Sequence, residues 1–497
     1  MKKVAAAMSV DILRSDVLRS PVQFLQHLGI HADHAWLRDY ETWFESEGQG
    51  ISDAVDRAGT PWLRMFDQWG ARVDEILYPP EYWRMLKRGY RSGVLWRAFE
   101  NPEQKSLLSA YLLLYATGFC DAGLACPYTV SLSTLCPLSK YGDAELQARF
   151  LPRMLRRDDT VWQGATWMTE IKGGSDLGAA VETVAQKERD GNQWRLTGDK
   201  YFASNAGAEL AVVAARPEGA PQNVRGLSLF LVPRHREDGQ LNYQIRRLKD
   251  KIATRSVPTG EIELLNSEGW LLGQSEQGIY LILEVLNLSR VANCIGSVAL
   301  AQRALADAYS YAQRRTAFGK PIIEHPLLSR QFEDRARGLH AASKLAWEAV
   351  HMLDEVWQEK PPYSDRYHLF RLIAHLAKYW TAEFAVHTAK WAMEVYGGVG
   401  TLQENRVERW LREAMILAIW EGTSHRQMLD GLEVMQRKAA HRLLFHHLAG
   451  KTAEPQLRDM EARVERQLAL PEAEREATLV QLFSDLAAFT AAALSNS

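Results

Sequence analysis

The spacing of apolar positions divides the chain into stretches of different character. From residue 1 to about residue 160 apolar residues recur at helical rather than alternating intervals, as over 82–87 and 107–117. Residues 143–151 read as a short amphipathic helix ended by Pro152, with Pro127 and Pro137 as further punctuation. Near Val161 the pattern changes. Short strand-like runs over 193–197, 200–204, 210–215, 227–232 and 261–265 are separated by turn residues, which predicts a small β-barrel or sandwich. After Gly278 the helical period returns. The stretch from Ile279 to about Arg315 has no proline and predicts a helix about 55 Å long. Further helices are expected over 326–359, stopped by Pro361-Pro362, over 364–396, and over 407–440 with a break near Glu421-Gly422. In the third, Leu369, Leu372, Leu376, Trp380, Phe384 and Trp391 share one face. Four long helices in series predict a bundle.

The expected fold class is α+β, mostly α. A helical N-terminal domain (1–160) precedes a middle β-barrel domain (161–273), a C-terminal four-helix bundle (274–440) and additional C-terminal helices (441–497). The 497 residues leave room for two to four such units, and 46% apolar residues can fill their cores. Sixteen Trp fit aromatic-rich cores or pockets. With 59 Lys and Arg against 61 Asp and Glu, nothing in the charge balance points to nucleic acid. Cys120, Cys126, Cys136 and Cys294 form no CxxC pair and have apolar neighbours, so buried reduced thiols in a cytoplasmic protein are expected. In residues 1–11 the apolar run ends too early for a signal peptide. No uninterrupted apolar stretch approaches the ~20 residues of a membrane span.

Several chemistries lack their motifs. No GxGxxG follows a strand; Gly450-Lys451-Thr452 has Phe445 where a P-loop needs glycine; Gly174-Ser175-Asp176 lacks the second glycine of a nucleophile elbow. There is no HExxH, and the adjacent His446-His447 would point to different sides of a helix, so no metal is expected.

Four blocks remain. Residues 167–176, Trp-Met-Thr-Glu-Ile-Lys-Gly-Gly-Ser-Asp, combine paired glycines with the hydroxyls of Thr169 and Ser175, a turn able to hold phosphate or ring oxygens or simply to lead into a β-domain. In the second block, Phe202 and Ser204 fall on one side of a strand, where a flat cofactor could rest or a core aromatic could pack. Arg315 to Gly319 close the long helix, either as a C-cap or with a guanidinium that binds pyrophosphate. The last block pairs Glu394-Val395-Tyr396-Gly397-Gly398 with Ile419-Trp420-Glu421-Gly422-Thr423. Glu421, flanked by bulky apolar residues, would be partly desolvated and a better general base near neutral pH, although a Glu at a helix break is also commonly just exposed.

In order and spacing these blocks resemble the acyl-CoA dehydrogenase family from about residue 60 to 435, and within it the AidB-like branch of alkylation-response flavoproteins. Residues 247–251 and Trp270 to Gly273 add to that likeness. The resemblance implies the same order of helical, β and bundle domains, FAD held between the last two, and a homotetramer. It places Met168, Thr169 and Ser175 along the flavin and its diphosphate, Phe202 beside the isoalloxazine and Ser204 near N5. Arg315, Phe318, Glu394, Gly397 and Gly398 would reach the FAD of a neighbouring subunit, and Thr423 its adenine end. Glu421 falls on the family's base, while Ser289 stands where a second subgroup carries its own. Ser175 and Arg290 would border the substrate. The implied reaction is α,β-dehydrogenation of an acyl-CoA thioester: Glu421 takes the α-proton and the β-hydride passes to flavin N5, with electron-transfer flavoprotein or oxygen as acceptor. The AidB-like branch also implies an alternative, a non-CoA substrate or an association with DNA. For DNA, the six Lys and Arg against eight Asp and Glu in 441–497 argue against strong phosphate binding.

Overall fold

The computed structural model describes residues 12–13, 16–101, 103–189 and 192–496. The segment 1–11, read above as too short for a signal peptide, lies outside the described residues. Two compact units divide the chain, one of residues 43–117 and 121–289, the other of residues 1–42, 118–120 and 290–497.

In the first unit a hairpin that the helical reading missed pairs β1 (Trp62–Phe66) with β2 (Arg72–Leu77). Asp67 shapes its turn, its Oδ1 accepting from the Trp69 and Ala71 amides at 2.8 and 2.9 Å, with Gly70 at φ 83°. Prolines expected to break helices sit inside them. Pro127 and Pro137 lie within α1 (Ala122–Tyr141), and Pro152 within the helix Ala144–Met154. Residues 130–138 of α1 are buried throughout, so packing of the whole helix outweighs the backbone bonds that two prolines remove.

The sheet has seven strands: β3 (Gly164–Trp167), β4 (Val184–Lys187), β5 (Gln193–Ser204), β6 (Leu210–Pro217), β7 (Ser228–Pro233), β8 (Gln244–Leu248) and β9 (Thr259–Leu271). The order β3-β6-β4-β5-β9-β7, with β6 also paired to β7, closes a ring of five strands, and β8 adds to β9. This is the small barrel expected from the sequence. Its core holds Trp167, Leu196, Phe230, Tyr243, Ile262 and Leu264 among small residues such as Ala185, Ala203 and Ala211. Burying each large side chain contributes roughly 1.5–3 kcal/mol. The runs 193–197 and 200–204 prove to be one strand bent at Gly198 (φ 151°), where a Cβ would stand 2.6 Å from Thr183 Cα. The run 261–265 is part of a strand that reaches Leu271.

The long helix is α2 (Gly278–Arg314). Its apolar window, together with the turn before it, would suffice by length and composition to cross a membrane, but that window is 83% buried within the protein. The second unit contains α3 (Pro326–Val356), α4 (Asp365–Tyr396), α5 (Val407–Ile419) and α6 (Ser424–Lys438). Ser364 caps α4, its side chain accepting from the Tyr367 amide at 3.2 Å. The C-terminal helices α7 (Ala440–Leu448), α8 (Glu454–Leu468) and α9 (Leu479–Leu494) join the same unit, α9 packing on α3, α4 and α6. A Cβ at Gly431 of α6 would meet the Phe483 ring at 2.5 Å, so glycine permits that approach. All four cysteines are buried, as expected.

Candidate active site

The break expected near Glu421 is a tight turn between α5 and α6. Glu421 has φ 58° and Gly422 φ 98°. A left-handed glutamate costs roughly 1–2 kcal/mol, so the surroundings must hold it. They do so through the carbonyls of the turn. Arg290 Nε donates to Glu421 O at 3.1 Å. Gln427 Nε2 donates to Glu421 O at 2.9 Å and to Gly422 O at 3.0 Å. Lys378 Nζ donates to Ala418 O at 3.0 Å and to Gly422 O at 2.7 Å. These donors are fixed in turn: Asp430 Oδ2 accepts from Arg290 Nη2 at 2.9 Å, and His375 Nδ1 meets Gln427 Oε1 at 2.9 Å. Gln427 also explains Gly422, where a Cβ would lie 2.7 Å from Gln427 Nε2.

The carboxyl itself is left open. Among the described residues no hydrogen bond or ion pair reaches it, and the Glu421 amide has no backbone acceptor. Burial pushes the carboxyl up to about 7, against the opposing pull of Arg290 and Lys378. Such an acid exchanges protons near neutrality, as a general base requires. His375, pushed down to about 3 by burial and the Arg290 charge, stays neutral.

In the other unit Glu170 sits in the turn that ends with Gly173-Gly174. Its Oε1 accepts from Lys200 Nζ at 2.5 Å and Thr183 Oγ1 at 2.6 Å, and its Oε2 from the Glu182 amide at 2.7 Å. Burial alone would raise this carboxyl, but the Lys200 charge and these bonds hold it below the usual range. The anchored turn presents Thr169, half-buried, and Ser175, exposed, beside buried Met168. A Cβ at Gly174 would stand 2.4 Å from Thr169 Oγ1, while one at Gly173 would meet nothing within 4 Å. On β5 Phe202 is 53% exposed and Ser204 half-buried, with the Trp167 indole donating to Ser204 O at 3.0 Å.

Arg315 is exposed at the end of α2, and Phe318 (φ 51°, 96% exposed) tips the adjoining two-residue hairpin. Glu394, paired with Lys390, ends α4 before Gly397 (φ 66°) and Gly398, where added Cβ atoms would meet nothing within 4 Å. Thr423 is exposed at the start of α6. Ser289 is buried, its Oγ 3.2 Å from that of Ser133, and carries no acid–base group. The structure brings Arg290 and Glu421 together; Met168, Thr169, Ser175, Phe202 and Ser204 belong to the other unit. Sequence reasoning missed Lys378, Gln427, Asp430 and the Glu170–Lys200 pair. None of these left a signal in the pattern: Lys378 falls on the side of its helix opposite the apolar stripe that runs from Leu369 to Trp391.

Residues 5–159 match the adaptive response protein AidB N-terminal domain, 165–267 the acyl-CoA dehydrogenase middle domain, and 276–436 the acyl-CoA dehydrogenase C-terminal domain. The chain is 30% identical over 412 residues to acyl-CoA dehydrogenase family member 11 of Caenorhabditis elegans, covering 79% of this chain and 66% of that protein, just under two thirds of its length. It is 30% identical over 395 residues to the putative acyl-CoA dehydrogenase AidB of Escherichia coli, covering 76% and 70%. The crystal structure of C. elegans ACDH-11 in complex with C11-CoA superposes with a TM-score of 0.79 at 25% identity, covering 91% of this chain and 82% of that one. With three family domains in the expected order and this identity across most of its length, the chain belongs to the acyl-CoA dehydrogenase family.

Proposed function

We propose that this protein is an FAD-dependent flavin oxidoreductase that dehydrogenates an acyl-CoA thioester, with Glu421 as the base. The carrying observation is the Glu421 carboxyl, unpaired among the described residues, desolvated toward neutrality and set on a turn whose Ala418, Glu421 and Gly422 carbonyls are held by buried donors. The ACDH-11 complex with C11-CoA supports a CoA thioester as the substrate class.

The residues fit FAD. Exposed Phe202 offers a ring face, and Ser204 a hydroxyl on the same side of the strand. Gly173, Gly397 and Gly398 face open space, where a Cβ would meet nothing within 4 Å, and leave room for a ligand to approach the backbone. Phe318, almost wholly exposed at the tip of a short hairpin that follows Arg315, supports contact with the FAD of a second copy in a homotetramer. FAD supplies, when bound, the acceptor for the hydride that leaves the β-carbon.

The remaining chemistry falls to the chain. A thioester α-proton is a poor acid, so its removal needs both a base and donors to the carbonyl oxygen that becomes negative. The Glu421 carboxylate accepts the proton. The Glu421 amide is the free donor nearest that base and would hold the oxygen. Ser175 and Arg290 border the thioester in this reading, Arg290 through its hold on the turn. Electrons then leave to electron-transfer flavoprotein or to oxygen.

The test is the visible spectrum of the purified protein, recorded anaerobically while butyryl-, isovaleryl-, octanoyl- and palmitoyl-CoA are added. Bleaching of the oxidised-flavin band by one of them is the expected result. A yellow protein that none of them bleaches would overturn the CoA substrate and favour the non-CoA or DNA-linked alternative of the AidB-like branch.

A further inference from the structure

Lys378 lies midway along α4 and is 1% exposed. A lysine so buried is rare without a carboxylate partner, yet among the described residues it makes no ion pair. Its two contacts are the carbonyls of Ala418 and Gly422, on either side of Glu421. A neutral donor could satisfy both, so the charge needs a separate account.

The groups that face Lys378 supply one. On α2 the Cys294 thiol is pushed up to about 12 by burial and stays neutral, and the Arg290 guanidinium is matched by Asp430. On α4 itself Glu383 is engaged by Ser424, whose hydroxyl donates to it at 2.7 Å, and His375 is neutral. The acids that remain to face it are Glu421 and, as a weaker influence, Glu383. Burial pushes Lys378 down to about 8 and Arg290 adds to that fall, while Glu421 and Glu383 oppose it, so it is charged at the pH where Glu421 ionises.

We infer that Lys378 is a positioning residue for proton abstraction: it tethers the left-handed turn through two carbonyls and supplies the positive charge that favours the ionised Glu421 carboxylate. This rests on the reading of Glu421 as the base.

The experiment uses the full FAD-loaded protein and follows exchange of α-hydrogen for deuterium in the acyl-CoA of the panel that bleaches the wild type, from pH 6 to 9.5. Exchange requires proton abstraction and does not depend on the electron acceptor. Lys378→Gln keeps an N–H donor and removes the charge; Lys378→Met removes both; Glu421→Gln is run beside them. Loss of the charge is expected to move the acid limb of the Lys378→Gln profile upward by about one pH unit, so that exchange falls about fivefold at pH 7 and recovers near pH 9. Lys378→Met is expected to keep a deficit of about tenfold or more at pH 9, because the turn is no longer held. A flavin-bearing Lys378→Gln protein whose acid limb stays at the wild-type pH overturns the inference. So does a Lys378→Gln protein that cannot fold or hold flavin, which would make the residue purely structural. If Glu421→Gln exchanges normally, the base itself is misassigned; if it is dead while Lys378→Gln matches wild type, only the role of Lys378 fails.

Discussion

Glu170 and Glu421 are both acids on glycine-bearing turns among apolar neighbours, and they differ in how many donors reach the carboxylate. Four bonds converge on Glu170, from Lys200, the Thr183 amide and hydroxyl, and the Glu182 amide. Among the described residues none reaches the Glu421 carboxyl; its neighbours instead grip the backbone on either side. The first arrangement keeps a buried charge permanently ionised and so fixes a turn. The second fixes the turn and leaves the charge free to come and go. The acid becomes reactive here because the protein bonds the backbone of its turn and leaves the carboxyl unbonded.

The sharpest way to break that comparison is to neutralise both. Glu421→Gln should keep its flavin absorbance and melting temperature yet lose turnover by about 10²–10⁴-fold, the usual contribution of a general base. Turnover within tenfold of wild type would put the base elsewhere. Glu170→Met should act on the fold, because it strands the Lys200 ammonium in the barrel wall. A loss of about 3–5 kcal/mol is expected, read as a lower melting temperature and loss of flavin on gel filtration. Adding Lys200→Met should restore part of that stability; a single variant that melts with wild type would mean that Glu170 is not a structural charge.

The pH axis separates the same two acids. With the Glu421 carboxyl pushed up to about 7, activity should fall as pH drops through neutrality while circular dichroism stays constant. Glu170 has a depressed folded value. Its stabilisation is complete above the ordinary carboxylate range, about 4.3, and is lost only as pH falls through that lower value. Activity and fold should thus fail in different windows, and a common midpoint would refute the distinction.

Much of this was legible in the chain. The change of period near Val161 and its return after Gly278 marked the barrel and the helices because local burial alone produces them. The hairpin Trp62–Phe66/Arg72–Leu77 left one readable sign, its Asp-x-x-Gly turn, but a helical background hid it. Pro127 and Pro137 misled because proline reports local cost, and α1 is held by contacts distant in sequence. The site divides likewise. Glu421 stood out by its neighbours in the chain, whereas Lys378, Gln427 and Asp430 matter through bonds to a turn that no local pattern reveals. Glu170 was read only as part of a loop, since its partners Lys200 and Thr183 come from other strands or their approaches.

A third carboxylate tests the rule at its weak end. Glu348 on α3 meets Nε2 of His447 on α7 at 2.7 Å, with side chains 21% and 18% exposed, and so joins the first C-terminal helix to the bundle. Burial would raise this acid, but the bond to His447 and the histidine charge more than offset it and leave it below the usual range. With one donor and partial solvation, its contribution should be far smaller than that of Glu170, about 1 kcal/mol or less. Glu348→Gln should therefore lower the melting temperature only slightly at pH 7. Because the folded value is depressed, the wild-type advantage exists above the ordinary carboxylate range and disappears as pH falls through that lower value. The two melting curves should converge in acid. A large loss that persists at low pH would mean that Glu348 acts by packing rather than by charge, and that counting donors does not rank these acids.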